Sequence, residues 1–269
     1  MIDCHLHSEF SIDSGGDLID YCKRALNIGL TGIGFSEHID FDPRDNGFGF
    51  YSDLIFGLNL NILKTIYMKQ LSILKGVEIT YQPQYMDKIS SFLNETILDY
   101  VIGSIHFVDD WNISSSALEE TIRFRKISQK ASYQRYFIEL RELVKSDFFE
   151  ILGHFDIITR YGFLEYGNYN PIDYMEIIEE ILKILINNGK ILEINSSGLR
   201  NNPKTIYPHP EILKRYADLG GDTVVLSSDA HSPEFTGFEF KRLKQIALNS
   251  GIKYEAVFRQ RKVIKKNPL

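Results

Sequence analysis

Seven short apolar, β-branched runs, at about residues 2–7, 31–36, 72–80, 99–105, 149–154, 190–195 and 223–228, each stop at turn residues. Such runs read as buried strands, and segments with helical periodicity lie between them. The clearest is Tyr174–Asn187, where Ile177, Ile178, Ile181, Leu182, Leu185 and Ile186 form one stripe before Asn188-Gly189 ends the helix. Leu118–Val144 is also helical in composition, with Lys, Arg and Glu along one face. Repeated βα units make a mainly parallel sheet. Seven of them in 269 residues favour an α/β barrel of TIM-like form over an open sheet. No Gly-rich dinucleotide fingerprint follows the first strand, which weakens a Rossmann reading. No linker divides the chain, so 1–269 reads as one barrel domain.

The histidines fall at the ends of these strands. His5 and His7 end the first, His38 the second beside Glu37, His106 the fourth and His154 the fifth. Asp229 and His231 follow the seventh, and Glu78 sits late in the third. Of seven histidines only His209, in Pro208-His209-Pro210, lies elsewhere. A parallel barrel brings the C-terminal ends of its strands to one face, where its chemistry belongs. Alternation along the first strand sends Asp3, His5 and His7 into the barrel and Cys4 and Leu6 toward the helices. Any one of these groups has an ordinary structural explanation. Six imidazoles and two carboxylates at a common rim do not, because their desolvation needs compensation. Divalent metals supply it, and the size of the set points to two or three ions. Imidazole with carboxylate accepts zinc, iron or manganese.

Composition narrows the partners. Thirty Lys and Arg against 36 Asp and Glu leave a net charge of −6, which argues against a nucleic-acid binder. The basic end, Arg259 to Lys266, reads as a solvated face without aromatic residues to stack bases. No apolar run approaches a membrane span, no export signal opens the chain, and Cys4 and Cys22 are too few for a disulfide scaffold. A reduced, cytoplasmic setting is expected. Asp40–Tyr51 is a Gly-, Asp- and aromatic-rich loop that reads equally as a surface turn or as a lid. Ser114–Ser116 reads as a plain loop.

Six ordered motifs resemble the polymerase and histidinol phosphatase (PHP) family. They are Asp3-x-His5-x-His7, Glu37-His38, Gly76-x-Glu78, Ser104-x-His106, Gly153-His154 and Ser228-Asp229-Ala230-His231. The resemblance implies a distorted (β/α)7 barrel with its metal site at the C-terminal strand ends. It implies three metals: His5, His7, Glu78 and Asp229 around the first; Glu78, bridging, with His106 and His154 around the second; His38, His231 and Asp13 around the third. Amidohydrolases share the first H-x-H, but expect a modified lysine where this chain has His106. Segments such as Phe10–Ser14, Glu37–Phe41, Gly153–Asp156 and Asn195–Arg200 resemble the histidinol-phosphate phosphatase branch.

That branch implies hydrolysis of a small phosphate monoester by metal-activated water, with Glu78, Asp229 and His231 serving catalysis directly. Arg160 and Arg200, after the fifth and sixth strands, are expected to hold phosphate, since the guanidinium fork matches it. Asp40, Asp42 and Tyr161 are further candidates for substrate contact, as is His209, although its flanking prolines make a rigid turn before a helix and favour a structural role there. Competing readings are a PHP exonuclease or phosphodiesterase, a protein-tyrosine phosphatase of the same family, and a non-catalytic metal-binding module. The exonuclease should carry a basic groove, and the non-catalytic module should have lost ligands.

Overall fold

A computed structural model describes all of residues 1–269. The seven expected strands form: β1 (Ile2–Leu6), β2 (Gly32–Ile39), β3 (Ser72–Thr80), β4 (Tyr100–Ser104), β5 (Ile151–Leu152), β6 (Ile191–Asn195) and β7 (Thr223–Ser227). They pair in parallel in chain order, and β7 returns to β1 through Asp3 and Leu226, closing the barrel. The helices outside are α1 (Leu18–Asn27), α2 (Asp53–Tyr67), α3 (Met86–Glu95), α4 (Gln129–Lys145), α5 (Thr159–Tyr166), α6 (Met175–Asn187), α7 (Pro210–Asp218) and α8 (Phe240–Ser250). In α6 the expected stripe buries Ile178, Ile181, Leu182 and Leu185.

The segment 118–144 is not one helix. A short helix, Leu118–Thr121, and a 3-10 stretch, Ile122–Lys126, precede α4. Ser128 ends the run by taking extended backbone and accepting a hydrogen bond from the Ala131 amide, so it caps α4.

Outside the barrel, 56 buried side chains pack the strands against the helices. Inside lies a second, smaller apolar cluster drawn from nearly every strand, including Ile2, Cys4, Leu74, Tyr100, Ile191 and Val225. Tyr100 spans the interior. Gly34 and Gly76 face it, and a Cβ on either would overlap its ring. Its hydroxyl donates to the Cys4 carbonyl at 2.8 Å.

Cys4 therefore points inward, against the expectation from alternation. The register between β1 and β2 shifts between Asp3 and Leu6, the mark of a β-bulge. Ile2 and Cys4 face in before the bulge, and His5 and His7 face in after it. Asp3 turns out of the barrel and accepts from Ser228 and from the Gly237 amide. One extra residue resets which side chains share a face.

The basic C-terminus is structured rather than a free tail. β8 (Tyr254–Arg259) pairs in parallel with the start of β7, and β9 (Lys262–Pro268) returns antiparallel to it. Phe258 reaches Tyr100, and Arg261 pairs with Glu150 at 2.8 Å. The hairpin thus floors the barrel at the end opposite the histidines. The side chains of β9 are nearly all exposed, and its lysines do stay in solvent.

Candidate metal centre

Each strand delivers its polar residue where its apolar run stops. Glu78 sits at the centre of the result. Its Oε2 is 3.2 Å from His5 Nε2, 3.2 Å from His38 Nδ1 and 3.6 Å from His7 Nε2. Its Oε1 is 2.7 Å from His154 Nε2 and 3.4 Å from His106 Nε2. Asp229 Oδ1 stands 3.6 Å from both His7 Nε2 and His231 Nδ1. Asp13 Oδ2 lies 3.1 Å from His231 Nε2 and 3.6 Å from His38 Nε2. All nine expected ligands are thereby brought together from positions 5 to 231 in the chain.

Three subsets have donor atoms within 4.8 Å of one another: His5, His7 and Asp229; His5, Glu78 and His154; His7, His38 and His231. The Nε2 atoms of His5 and His7 are buried and have no hydrogen-bond partner. Buried polar atoms are almost always satisfied, so two orphaned nitrogens aimed at carboxylates are what a cation site requires. The donor set is imidazole and carboxylate throughout, which suits divalent metals.

Against burial, Glu193 and Glu78 hold His5, and Asp13 and Glu78 hold His38, well above the usual imidazole range, so a bound cation would displace protons there. Burial alone would raise the Glu78 carboxyl, but His5, His106 and His154 hold it well below the usual carboxylate range. Burial, with His38 and His231 alongside, pushes His7 down to about 3. Glu78 is thus charged and His7 neutral near neutral pH, the forms that bind cations.

A second layer fixes this set, and sequence reasoning missed most of it. Glu193 is fully buried on β6; its Oε1 meets His5 Nδ1 at 2.6 Å and its Oε2 accepts from the His154 amide. Asn195, two residues on, donates to Glu193 and Asp229. Thr80 Oγ1 holds His106 Nδ1 at 2.7 Å, and the Ser104 hydroxyl donates to Glu78. The signal for Glu193 was present: an acid within Ile191-Leu192-Glu193-Ile194, the same pattern that marks Glu78 on β3. Asp229 itself sits at φ 53, in the left-handed region. Arg200 clamps it by donating to the carbonyls of Ser228 and Asp229. Strain at such a residue persists only where its surroundings hold it.

The cluster floors a cavity of about 750 Å³. Arg160 lines it from the start of α5, over the Tyr161 ring at 5.4 Å and without a carboxylate partner. Arg200 lines it too, stacked on Phe235 at 4.9 Å. Asp40 and Asp45 of the 40–51 loop stand at the mouth, opposite Ser114–Ser116, which prove to be lining residues.

Two expected contacts fall elsewhere. Asp42 is turned away and is neutralised by Arg44, with Gln82 donating at 2.9 Å. His209 does not line the cavity: it is the N-cap of α7, its Nδ1 accepting from the Glu211 amide at 3.3 Å. Pro210 at the first helical position explains the choice, because it fixes the helix start one residue after His209.

Residues 3–197 match the model of the PHP domain, and the chain belongs to that family. It is 28% identical to a probable histidinol-phosphatase of Clostridium acetobutylicum, covering 98% of this chain and 99% of that one. It is 26% identical to the histidinol-phosphatase of Lactococcus lactis, over 98% and 96% of the two chains. The crystal structure of the L. lactis histidinol phosphate phosphatase, in complex with zinc, L-histidinol and phosphate, has the same fold. Its TM-score is 0.89, at 23% identity and 98% coverage of both chains.

Proposed function

We propose that this chain is a histidinol-phosphate phosphatase, hydrolysing L-histidinol phosphate to L-histidinol and inorganic phosphate. The observation that carries the reading is an imidazole–carboxylate cluster of nine residues sharing one cavity with two guanidiniums. Full-length similarity to histidinol-phosphatases supports it.

His5, His7, Glu78 and Asp229 would hold one metal, Glu78, His106 and His154 a second, and Asp13, His38 and His231 a third. Zinc, iron and manganese all suit these donors. Bound there, divalent ions supply Lewis acidity toward phosphoryl oxygen and lower the pKa of water. The protein's own part is positioning. Arg160, free of any carboxylate, takes the phosphate oxygens by its fork, and Arg200 adds positive charge while holding Asp229 in place. Asp229 Oδ1, between His7 and His231, would orient the attacking water by accepting its hydrogen bond. Asp45, with Asp40 beside it, would meet the ammonium and imidazole end of the substrate at the mouth; burial pushes the Asp40 carboxyl up to about 7, so it is only partly charged near neutral pH.

The lining also weighs against a nuclease. Apart from the acids proposed as metal ligands, the lining sets Asp40 and Asp45 beside only two arginines, whereas a polynucleotide needs a basic track. The basic hairpin is at the far end of the barrel. No helix is long and apolar enough to cross a membrane. Two buried, unbridged cysteines fit a reducing cytoplasmic setting. Residues 1–269 act as one barrel unit in this reading, since the C-terminal hairpin joins the same sheet. The test is phosphate release from histidinol phosphate beside a nucleotide, a phosphotyrosine peptide and single-stranded DNA, with the metal-loaded protein. Turnover of histidinol phosphate far above the others is expected; preference for DNA or the peptide would overturn the assignment.

A further inference from the structure

The outer surface holds one feature that the site does not explain. α2 is apolar on two sides. Phe56, Leu60, Leu63 and Tyr67 pack inward. On the solvent side Leu54, Ile55, Leu58, Ile62 and Ile66 are each more than half exposed. At 100° per residue these five fall within one third of the helix circumference. Five such residues, each more than half exposed, make a contiguous patch in the range of roughly 300–600 Å², the largest that monomers usually carry and a substantial part of the roughly 800 Å² each partner gives a stable interface.

The chemistry of the face is as informative as its size. The only charged residues of α2, Asp53 and Lys64, are paired with Lys75 and Asp99. Its neutral polar side chains are exposed but bond back to their own helix: Asn59 Nδ2 donates to the Ile55 carbonyl and Thr65 Oγ1 to the Asn61 carbonyl, both at 2.9 Å. A membrane-surface helix flanks its apolar face with several Lys and Arg to meet anionic lipid, whereas here Lys64 is paired with Asp99 and only Lys69, just past the helix end, is exposed beside the face. Nothing on this face selects a charged partner either. An uncharged face does meet a copy of itself without like-charge repulsion, although the chain as a whole is acidic. Leu54, Leu58, Ile62 and Ile66 also repeat every four residues, forming the ridge that packs against an identical ridge in helix–helix contacts.

We infer that α2 is the centre of a two-fold homodimer interface, the ridge of one copy packed across the ridge of the other with Leu58 and Ile62 nearest the axis. The face lies outside the barrel and contains no cavity-lining residue, so dissociation leaves the phosphatase site intact. The test is sedimentation velocity of the full chain at low micromolar concentration. Twice the chain mass is expected. The Leu58→Glu, Ile62→Glu double variant is expected to sediment as a monomer with unchanged circular dichroism and phosphate release. Should that variant fold poorly, Ile62→Cys serves instead, since the native cysteines are buried: mild oxidation is expected to give a covalent dimer. A native chain that stays monomeric overturns the inference, as does a dimer that neither splits in the double variant nor cross-links through Cys at position 62. Co-sedimentation of a monomer with phosphatidylserine vesicles would assign the face to lipid and equally overturn it.

Discussion

The two ends of the barrel are built from the same seven strands and solve opposite problems. At the floor, Ile2, Tyr100, Ile191 and Val225 meet Phe258 of the terminal hairpin and exclude water by packing. At the rim the same strands present His5, Glu78, Glu193 and Asp229, buried as completely but satisfied by one another. The floor is stabilised by hydrocarbon burial, of order 25 cal/mol per Å². The rim carries a desolvation cost, which pairing and bound cations offset. Stability and chemistry are thus separated by a few residues along each strand.

That contrast can be broken at either end. The largest effect is expected from Glu78→Gln at the rim, which removes the charge shared by five histidines. Turnover should fall roughly a thousandfold or more, as expected when several kcal/mol of transition-state stabilisation are lost. Metal content by elemental analysis should fall with it; full metal occupancy in this variant would contradict the central role of Glu78.

Glu193→Gln tests the layer behind. It keeps size but replaces one acceptor oxygen with an amide donor and loses the charge against His5, so metal affinity should weaken by about 10–100-fold. Competition with a chelator measures this, and rescue by excess metal separates it from misfolding. Next come the arginines. Arg160→Ala should raise KM about tenfold or more with kcat and metal content held, because it touches only the substrate. Arg200→Ala should also lower kcat, since its guanidinium supports the backbone of Asp229. Identical profiles for the two variants would remove that distinction.

Effects at the floor should appear in stability alone. Phe258→Ala should cost about 3 kcal/mol in urea unfolding while the folded fraction keeps its turnover. A loss of kcat there would mean that the two ends are coupled. The smallest change is His209→Ala, which removes a helix cap worth about 0.5–1 kcal/mol and should leave KM unaltered; a raised KM would return His209 to the substrate site.

Much of the rim was readable before any coordinates. Strand ends marked by His, Glu and Asp after apolar runs locate the side chains that cluster there, because a parallel barrel gathers those ends whatever their separation in the chain. Arg160 and Arg200 followed by the same rule. What was not readable depended on local departures from it. The bulge in β1 turned Cys4 inward and Asp3 outward, and alternation has no means of announcing an inserted residue. Asp42 and His209 looked like contacts because of what they are, but Arg44 and the α7 amide had already claimed them.

The sequence by itself determined the number of strands, their order and which residues would meet at the rim, since hydrophobic periodicity and parallel closure are local and topological properties. Only the tertiary structure decided which side of β1 each residue faces, that Glu193 braces His5 and His154, that residues 254–268 close the floor, and that one face of α2 is left bare. Those outcomes depend on pairings between residues as distant as His5 and Glu193 or Tyr100 and Phe258. Packing and burial select such pairs, and no periodicity in the chain encodes them.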